Sequence, residues 1–479
     1  MKKLKNILKD INIKSLLGEL DISISGISNN SNDINDGYLF FAVKGNNSDG
    51  HKFIDVAINN GSTCIVCTRI PKKINSSITY IQVNNIREVI NKVSSNFYDN
   101  PSKSLKVIAV TGTNGKTSIV YFLYQFLLIL NKRVGMLSTI ENKIQNETFK
   151  SSLTTPDSIE INRLMNDMVK NDIEYCVMEA SSHAIDQIRI SGSDVYVAIF
   201  SNLSHDHLDY HKTFLNYINA KKKLFDNLRK DSFSIINSDD KRADYIAQNS
   251  KSKIIRYSVN SLSDNKGRLI ENNLDGMLVD IDNEKISLGI IGEFNLYNIL
   301  SVYVFSKILK INKIKSLSII SKIKPPRGRL EYIKSSKGSI GIVDYAHTPN
   351  ALENVLTTIN RIRGDNKIIS IIGAGGDRDK SKRPEMGRVA EEYSDYVIVT
   401  SDNPRNENEI DIINDIIKGF KTENYMIESD RKKAIINACK NIDNKTILLV
   451  AGKGHEDYQI IGNNYIPHND MEILRKELK

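Results

Sequence analysis

The stretch that most constrains this chain is Lys106-Val107-Ile108-Ala109-Val110, followed by Thr111-Gly112-Thr113-Asn114-Gly115-Lys116-Thr117 and an apolar run through Tyr121 to Leu130. A short run of apolar and β-branched residues reads as a strand buried on both faces, the kind found in parallel sheets. A glycine-rich turn between such a strand and a helix lets backbone N–H groups approach phosphate oxygens, and the helix N-terminus adds a field that favours an anion. Lys116 can then reach terminal phosphates, and the Thr117 hydroxyl can ligate Mg²⁺. The strict GxxxxGK[ST] spacing is not met, because its first glycine position holds Val110. The preceding strand, the Gly-Lys-Thr triplet and the following helix carry the reading of a nucleotide-binding loop.

Around this loop the chain alternates strand-like and helix-like patterns, which predicts an α/β protein with parallel sheets. At 479 residues, three domains are the natural division. Residues 1–100 hold short strand-like runs (Tyr38 to Val43, Cys64 to Cys67, Thr79 to Val83) between Asn, Gly and Asp turns. Asn100-Pro101-Ser102-Lys103-Ser104 reads as a linker into a central unit, 101–328, with further strands at Tyr175 to Met178 and Val195 to Phe200. The pattern breaks at Lys324-Pro325-Pro326-Arg327-Gly328, so a third unit is placed at 329–479. There, strand-like runs at Ile340 to Val343, Lys367 to Ile372, Tyr396 to Thr400 and Thr446 to Val450 each end in a polar or glycine-rich loop. Open α/β sheets bind ligands outside the carboxyl ends of their strands, so the four loops predict one shared site.

Net charge is +9, yet no arginine-rich arm or basic helix face stands out, so no nucleic-acid partner is expected. The basic start of the chain is not followed by an apolar signal core, and Tyr121 to Leu130 is far too short to span a bilayer. A cytoplasmic protein without membrane insertion is expected. The four cysteines agree with this. Cys64 and Cys67 lie three apart in a strand-like run, so they point to opposite faces, and no second CxxC completes a zinc site. Core packing is their expected role.

Glu179 closes an apolar strand, where a phosphate-loop enzyme places a Mg²⁺-associated carboxylate. Four of the eight histidines follow between positions 183 and 211. With no cysteine near and a phosphate loop already calling for Mg²⁺, zinc is not expected, although a surface histidine loop remains open. Lys221-Lys222-Lys223 reads on its own as a solvated charge run. A lysine beside a metal site has another option: its neutral amine can take up CO₂ to give a carbamate, an anionic oxygen ligand.

Taken together, TGTNGKT (111–117), TTP (154–156), EASSHA (179–184), SNLSHDHLDYH (201–211), AK (220–221), GEFNLYN (292–298), GRLE (328–331) and DYAHTP (344–349) occur in the order seen in Mur ligases, which the chain resembles over nearly its whole length. Gly376-Asp377-Arg378-Asp379, Lys382-Arg383-Pro384, Asp402-Asn403-Pro404-Arg405 and Gly452 to Tyr458 resemble the diaminopimelate-adding branch. The resemblance implies an N-terminal UDP-substrate domain, a central ATP-binding domain and a C-terminal Rossmann-like domain that brings the amino acid. It implies an ATP-dependent, Mg²⁺-requiring ligase of peptidoglycan synthesis, acting as a monomer. Meso-2,6-diaminopimelate would be added to the D-Glu γ-carboxylate of UDP-N-acetylmuramoyl-L-alanyl-D-glutamate through an acyl phosphate, with L-lysine as the alternative amino acid.

Carried over residue by residue, the resemblance gives Thr111, Gly112, Thr113, Asn114, Gly115, Lys116 and Thr117 to the ATP phosphates. Asn295, Asn298, Arg329 and Asp344 would help to hold the nucleotide. Thr117 and Glu179 would serve one Mg²⁺, and His207 with a carbamylated Lys221 a second; Lys116, Glu179, His207 and Lys221 form the catalytic set. Ser31, Asn46, Asn47, Ser48, Thr154, Thr155, Ser181, Gln187 and Arg189 match contacts to the UDP-sugar-peptide. Arg383, Asp402, Asn403, Pro404, Arg405, Gly452 and Glu456 match the site of the incoming amino acid. Arg405 is the expected specificity element, since a guanidinium grips a carboxylate with two parallel hydrogen bonds and lysine lacks the distal carboxylate. One departure stands out: Asn30-Ser31-Asn32 replaces the usual Asp-Ser-Arg, so both charges are gone. A folylpolyglutamate synthetase would share the ATPase core but does not suit the Asp402–Arg405 and Gly452–Tyr458 loops. A phosphate-loop switch without ligase activity would leave His207 and Lys221 without a role.

Overall fold

A computed structural model of the chain describes residues 1–45, 48–145, 147–151 and 153–478. Contacts gather the chain into two compact units. The first comprises Met1–Asn265 with Val304–Leu309, the second Lys266–Tyr303 with Lys310–Lys479.

The first unit carries two α/β sheets. Near the N-terminus, a five-stranded sheet runs Ser15–Leu17, Thr79–Gln82, Ser62–Cys67, Tyr38–Phe41, Gly26–Ser28, parallel except for its first pair. Strand Ser62–Cys67 buries Cys64 on the face with Leu4, Ile7 and Val93, and Cys67 on the opposite face with Phe40, Ile54 and Tyr80. The two thiols therefore pack, as their spacing predicts, and burial pushes the Cys67 thiol up to about 11. Helix Ile86–Phe97 starts where the Asn85 side chain accepts the Arg87 N–H, and it packs on helix Ser158–Lys170, capped in the same way by Asp157.

The larger sheet orders Glu147–Lys150, Glu141–Ile144, Val134–Leu137, Tyr175–Glu179, Lys106–Thr111, Val195–Phe200, Phe233–Asn237 and Lys253–Tyr257. Its first three strands form an antiparallel meander, and the other pairings are parallel. Lys106–Thr111 is central; Val107 to Val110 have no exposed surface, which is why the run lacks polar alternation. Helix Lys116–Ile129 buries Ile119, Phe122, Leu123 and Phe126 on this sheet, each contributing about 1.5–3 kcal/mol relative to exposure.

The second unit opens with the antiparallel meander Gly267–Asn273, Gly276–Ile281, Glu284–Leu288. Its main sheet orders Glu331–Lys334, Ile340–Asp344, Thr446–Ala451, Lys367–Ile372, Tyr396–Val399 and Tyr425–Ile427, parallel except for the first pair. The four loops expected to share a site follow four adjacent strands of this sheet. Beyond them, Tyr458–Ile461 pairs with Asn464–Pro467 as a hairpin that sequence patterning had not indicated. Among the described residues, no helix is long and apolar enough to cross a membrane.

Candidate active site

In the first unit, strand register aligns the chemistry. Glu179 pairs with Val110, so the carboxylate arrives beside the start of the Thr111–Thr117 loop. Gly112 has φ 155°, and a Cβ there would lie 1.9 Å from Ser201 Oγ. Gly115, at φ 87°, sits at the start of helix Lys116–Ile129, where no side chain caps the first N–H groups. N–H groups at such a helix N-terminus favour an anion. The segment after strand Val195–Phe200 braces the loop. Thr113 N donates to Asn202 O (2.8 Å), Asn114 N to Asn202 Oδ1 (3.0 Å), and Ser201 Oγ to Asn114 O (2.6 Å). Lys116 Nζ lies over the loop and donates to Gly112 O (3.0 Å) and Thr113 O (2.8 Å).

The donor set suits a hard cation. Glu179 is 1% exposed; Oε1 accepts the Thr139 N–H at 2.8 Å, while Oε2 is buried with no hydrogen-bond partner. A buried carboxylate oxygen left open in this way costs free energy unless a cation or donor meets it. Thr117 is buried nearby on the same loop. Among the described residues, no three His, Cys, Asp or Glu side chains form a ready metal cage. A Mg²⁺ site of this kind takes much of its coordination from substrate oxygens and water.

Two of the three lysines at 221–223 overturn the expected solvated run. Lys221 is 1% and Lys222 6% exposed, and only Lys223 lies at the surface. The helix Phe214–Asp226 turns Lys221 inward, where Nζ donates to Gly112 O at 2.7 Å and lies 4.6 Å from the centre of the Tyr217 ring. Burial, reinforced by the charge on Lys116 and only partly countered by Asp206, holds this amine well below the ordinary lysine range. His207 is exposed at φ 53°, its ring 4.8 Å from that of His183 and 6.2 Å from that of Tyr217. Tyr217 Oη lies 3.0 Å from Thr113 Oγ1. His207, Lys221 and the phosphate loop thus gather around one tyrosine.

The expected sugar-peptide residues form a network in the same unit. Thr155 Oγ1 donates to Glu179 O (2.8 Å) and lies 3.2 Å from Ser181 Oγ. Arg189 donates to Thr155 O (2.8 Å) and, through Nη2, to Gln187 Oε1 (2.6 Å). Gln187 in turn donates to Tyr210 Oη at 3.2 Å. Thr154 is half-buried beside them. Ser31 is buried in a short turn whose preceding Asn30 accepts the Asn32 N–H at 3.1 Å and donates to Asp33 at 2.9 Å. Ser48 is exposed, and Asn46 and Asn47 lie outside the described residues.

Asn295 and Asn298, both buried, belong to the second unit; Asn298 Nδ2 donates to Asn295 Oδ1 at 2.9 Å. Asp344 accepts the Leu330 and Ala346 N–H groups at 2.7 and 2.9 Å, and burial raises its carboxyl despite Arg329. Arg329 stacks 4.9 Å over Tyr345.

The amino-acid residues meet at the carboxyl end of the second unit's sheet. Asp402, Asn403 and Pro404 are buried. Arg405, at φ 52°, is held by Arg405 N to Ile460 O (3.1 Å) and Gly462 N to Arg405 O (2.8 Å). Its Nη1 donates to Gly376 O at 2.7 Å. Gly452 N donates to Asp344 O at 3.1 Å. Asn403 Nδ2 donates to Glu456 Oε2 at 2.9 Å. Arg383, expected to face the amino acid, is 2% exposed and turned to Glu407 (2.9 Å) and Asp415 (3.0 Å). Sequence reasoning also passed over Lys453, which is fully buried in this cluster. Its only signal was its place inside the Gly-Lys-Gly-His-Glu loop.

Three family models match the chain: "Mur ligase family, catalytic domain" over 23–98, "Mur ligase middle domain" over 110–305, and "Mur ligase, glutamate ligase domain" over 328–454. A Bacteroides fragilis protein named UDP-N-acetylmuramoyl-L-alanyl-D-glutamate--2,6-diaminopimelate ligase is 44% identical over 478 residues, covering 99% of each chain. A solved structure of an enzyme of that name superposes with TM-score 0.71 at 28% identity, covering 100% of this chain and 99% of the other. The Thermotoga maritima MurF ligase in complex with ADP shares the fold at TM-score 0.61 and 18% identity, covering 94% of this chain and 97% of that one.

Proposed function

The chain belongs to the Mur ligase family, and from that premise we propose that it joins meso-2,6-diaminopimelate to the D-Glu γ-carboxylate of UDP-N-acetylmuramoyl-L-alanyl-D-glutamate, using ATP. The observation that carries this reading is the near full-length match to a relative named for that reaction. Residues 1–100, 101–328 and 329–479 serve as UDP-substrate, ATP-binding and amino-acid-binding domains; the limits of the three family models support this division. The enzyme works as a cytoplasmic monomer.

A carboxylate is a poor electrophile, so it must be activated before an amine can attack. The γ-carboxylate takes the terminal phosphoryl group of ATP, and ADP leaves. The amine then attacks the acyl carbon, loses a proton and displaces phosphate. In this scheme the N–H groups at Gly115 and the Lys116 ammonium bind and orient the triphosphate, and positive charge at Lys116 offsets charge gathering on the transferred group. Thr117 and the open oxygen of Glu179 would hold one Mg²⁺, His207 and a carbamate on Lys221 a second; such ions neutralise phosphate charge and polarise the reacting oxygens. The depressed amine of Lys221 supports this, because CO₂ adds to the neutral form. Arg189, Gln187, Ser181, Thr155 and Thr154 orient the peptide end of the sugar substrate, with Ser31, Asn46, Asn47 and Ser48 toward the uridine end. Asn295, Asn298, Arg329 and Asp344 serve the nucleoside.

For the amino acid, Arg405 takes the distal carboxylate and Glu456 the distal ammonium, with Asp402, Asn403, Pro404 and Gly452 shaping their loops. Arg383 acts here through Glu407, whose Oε1 also accepts the Asp377 N–H at 2.6 Å. L-lysine has no distal carboxylate and would leave Arg405 without its partner. The test is phosphate release from purified chain, ATP, Mg²⁺ and the UDP-sugar-dipeptide with each amino acid in turn. Release is expected with meso-diaminopimelate; no release with any amino acid would overturn the ligase reading.

A further inference from the structure

We propose that Lys453 is a positioning residue of the amino-acid site: its ammonium holds one carboxylate oxygen of Glu456, so that the other stays open to the distal ammonium of the incoming amino acid. The inference rests on the reading that Glu456 and Arg405 take the distal end of that substrate.

Lys453 has no exposed surface. It follows strand Thr446–Ala451, and its Nζ reaches the loop after strand Tyr396–Val399, on the far side of strand Lys367–Ile372. Nζ lies 2.9 Å from Asn403 Oδ1, 2.9 Å from Glu456 Oε2 and 3.5 Å from Asp402 Oδ1. An alkylammonium has three protons and no lone pair, so these oxygens use its whole donor capacity. Lys453 therefore does not itself hold substrate. What it does is fix two side chains that would. Asn403 Oδ1 takes Lys453 together with the Ile460 N–H (2.8 Å), which sets the amide so that Nδ2 points at Glu456 Oε2 (2.9 Å). Both donors to Glu456 fall on Oε2. Among the described residues Oε1 takes no hydrogen bond, and the Glu456 side chain keeps 17% exposure. Ile460 N thus ties Asn403 to the hairpin whose Ile460 O and Gly462 N hold the Arg405 backbone.

The charges fit the same role. Asp402 and Glu456 bring two negative charges into a nearly closed cluster; Lys453 touches both, and the buried Arg431, itself paired with Asp470, acts on both from further off. Without Lys453 the two carboxylates repel and Glu456 Oε2 loses one of its two anchors, so the side chain is released from its aim.

The experiment measures kinetics for three proteins, the parent chain, Lys453→Met and Glu456→Gln. Lys453→Met keeps the apolar stem and removes the charge. It is expected to raise KM for diaminopimelate about 30-fold or more while KM for ATP stays as in the parent. Glu456→Gln should also raise KM for diaminopimelate and leave KM for ATP unchanged. Unchanged KM in Glu456→Gln would reject the reading of Glu456 itself. A raised KM in Glu456→Gln with none in Lys453→Met would reject the role of Lys453 alone, and so would equal losses for ATP and diaminopimelate. Should Lys453→Met fail to fold, Lys453→Arg decides: it keeps the charge and cannot place protons on the same three oxygens, so its KM for diaminopimelate should rise while KM for ATP holds, and an unchanged KM for diaminopimelate would reject the role.

Discussion

Lys453 and Lys221 are both almost completely buried, and their surroundings are opposite. Lys453 lies among Asp402, Asn403 and Glu456, so its charge is matched and its three protons are placed. Lys221 has a backbone carbonyl and an aromatic ring; among the described residues no carboxylate lies within ion-pair distance of it, and Lys116 adds positive charge nearby. Burying a charge costs several kcal/mol unless it is paired. A paired lysine stays charged and organises its neighbours. An unpaired one is held below the ordinary lysine range, which favours the neutral, nucleophilic amine. The contrast shows that burial alone does not set a lysine's chemistry; the acids around it do.

The largest test of this contrast is Lys221→Ala. Loss of the proposed carbamate should lower kcat on the order of 10³-fold, with partial recovery on adding acetate. With ¹³C-bicarbonate, the parent should show a carbamate resonance that Lys221→Ala lacks. Full activity of the variant without acetate would remove the carbamate from the account. The paired class has its own extreme in Arg431 and Asp470, both without exposed surface and joined at 2.8 and 2.9 Å. Asp470→Ala leaves that guanidinium buried without its carboxylate and should cost about 3–5 kcal/mol of stability in chemical denaturation. Next, Arg405→Ala should lower kcat/KM for diaminopimelate about 10²-fold with ATP binding unchanged, as measured by initial rates.

The smallest effect concerns His455. Burial, helped by Arg329 and Arg327, lowers its ring to about 4, against an ordinary 6.5. Between those values the unfolded chain binds the extra proton, so stability is complete above pH 6.5 and declines as pH falls toward 4. The loss should be on the order of 2 kcal/mol, absent from His455→Phe when the two are compared by denaturation.

Much of this was legible in the sequence because it depends on local pattern. Apolar β-branched runs marked the central strands of both large sheets, and the glycine spacing marked the phosphate loop before helix Lys116–Ile129. The opposed faces of Cys64 and Cys67 followed from strand periodicity. What failed was whatever depends on partners distant in the chain. Lys221-Lys222-Lys223 looks solvated until helix Phe214–Asp226 turns its first two lysines inward. For Arg383, nothing local announced that Glu407 and Asp415, 24 and 32 positions away, hold its guanidinium. Lys453 drew no attention because its acids come from a loop about fifty residues earlier as well as from its own turn. The Tyr458–Ile461 hairpin, which carries the backbone partners of Arg405, is short and partly exposed, so it leaves little hydrophobic pattern.

The most direct measurement is a competition. Equal concentrations of meso-diaminopimelate and L-lysine are offered to the enzyme with ATP and the UDP-sugar-dipeptide, and the products are weighed by mass spectrometry. A guanidinium at Arg405 that takes the distal carboxylate predicts the diaminopimelate tripeptide almost alone, with the preference collapsing in Arg405→Ala. A lysine product in comparable or greater amount from the parent enzyme would contradict that role.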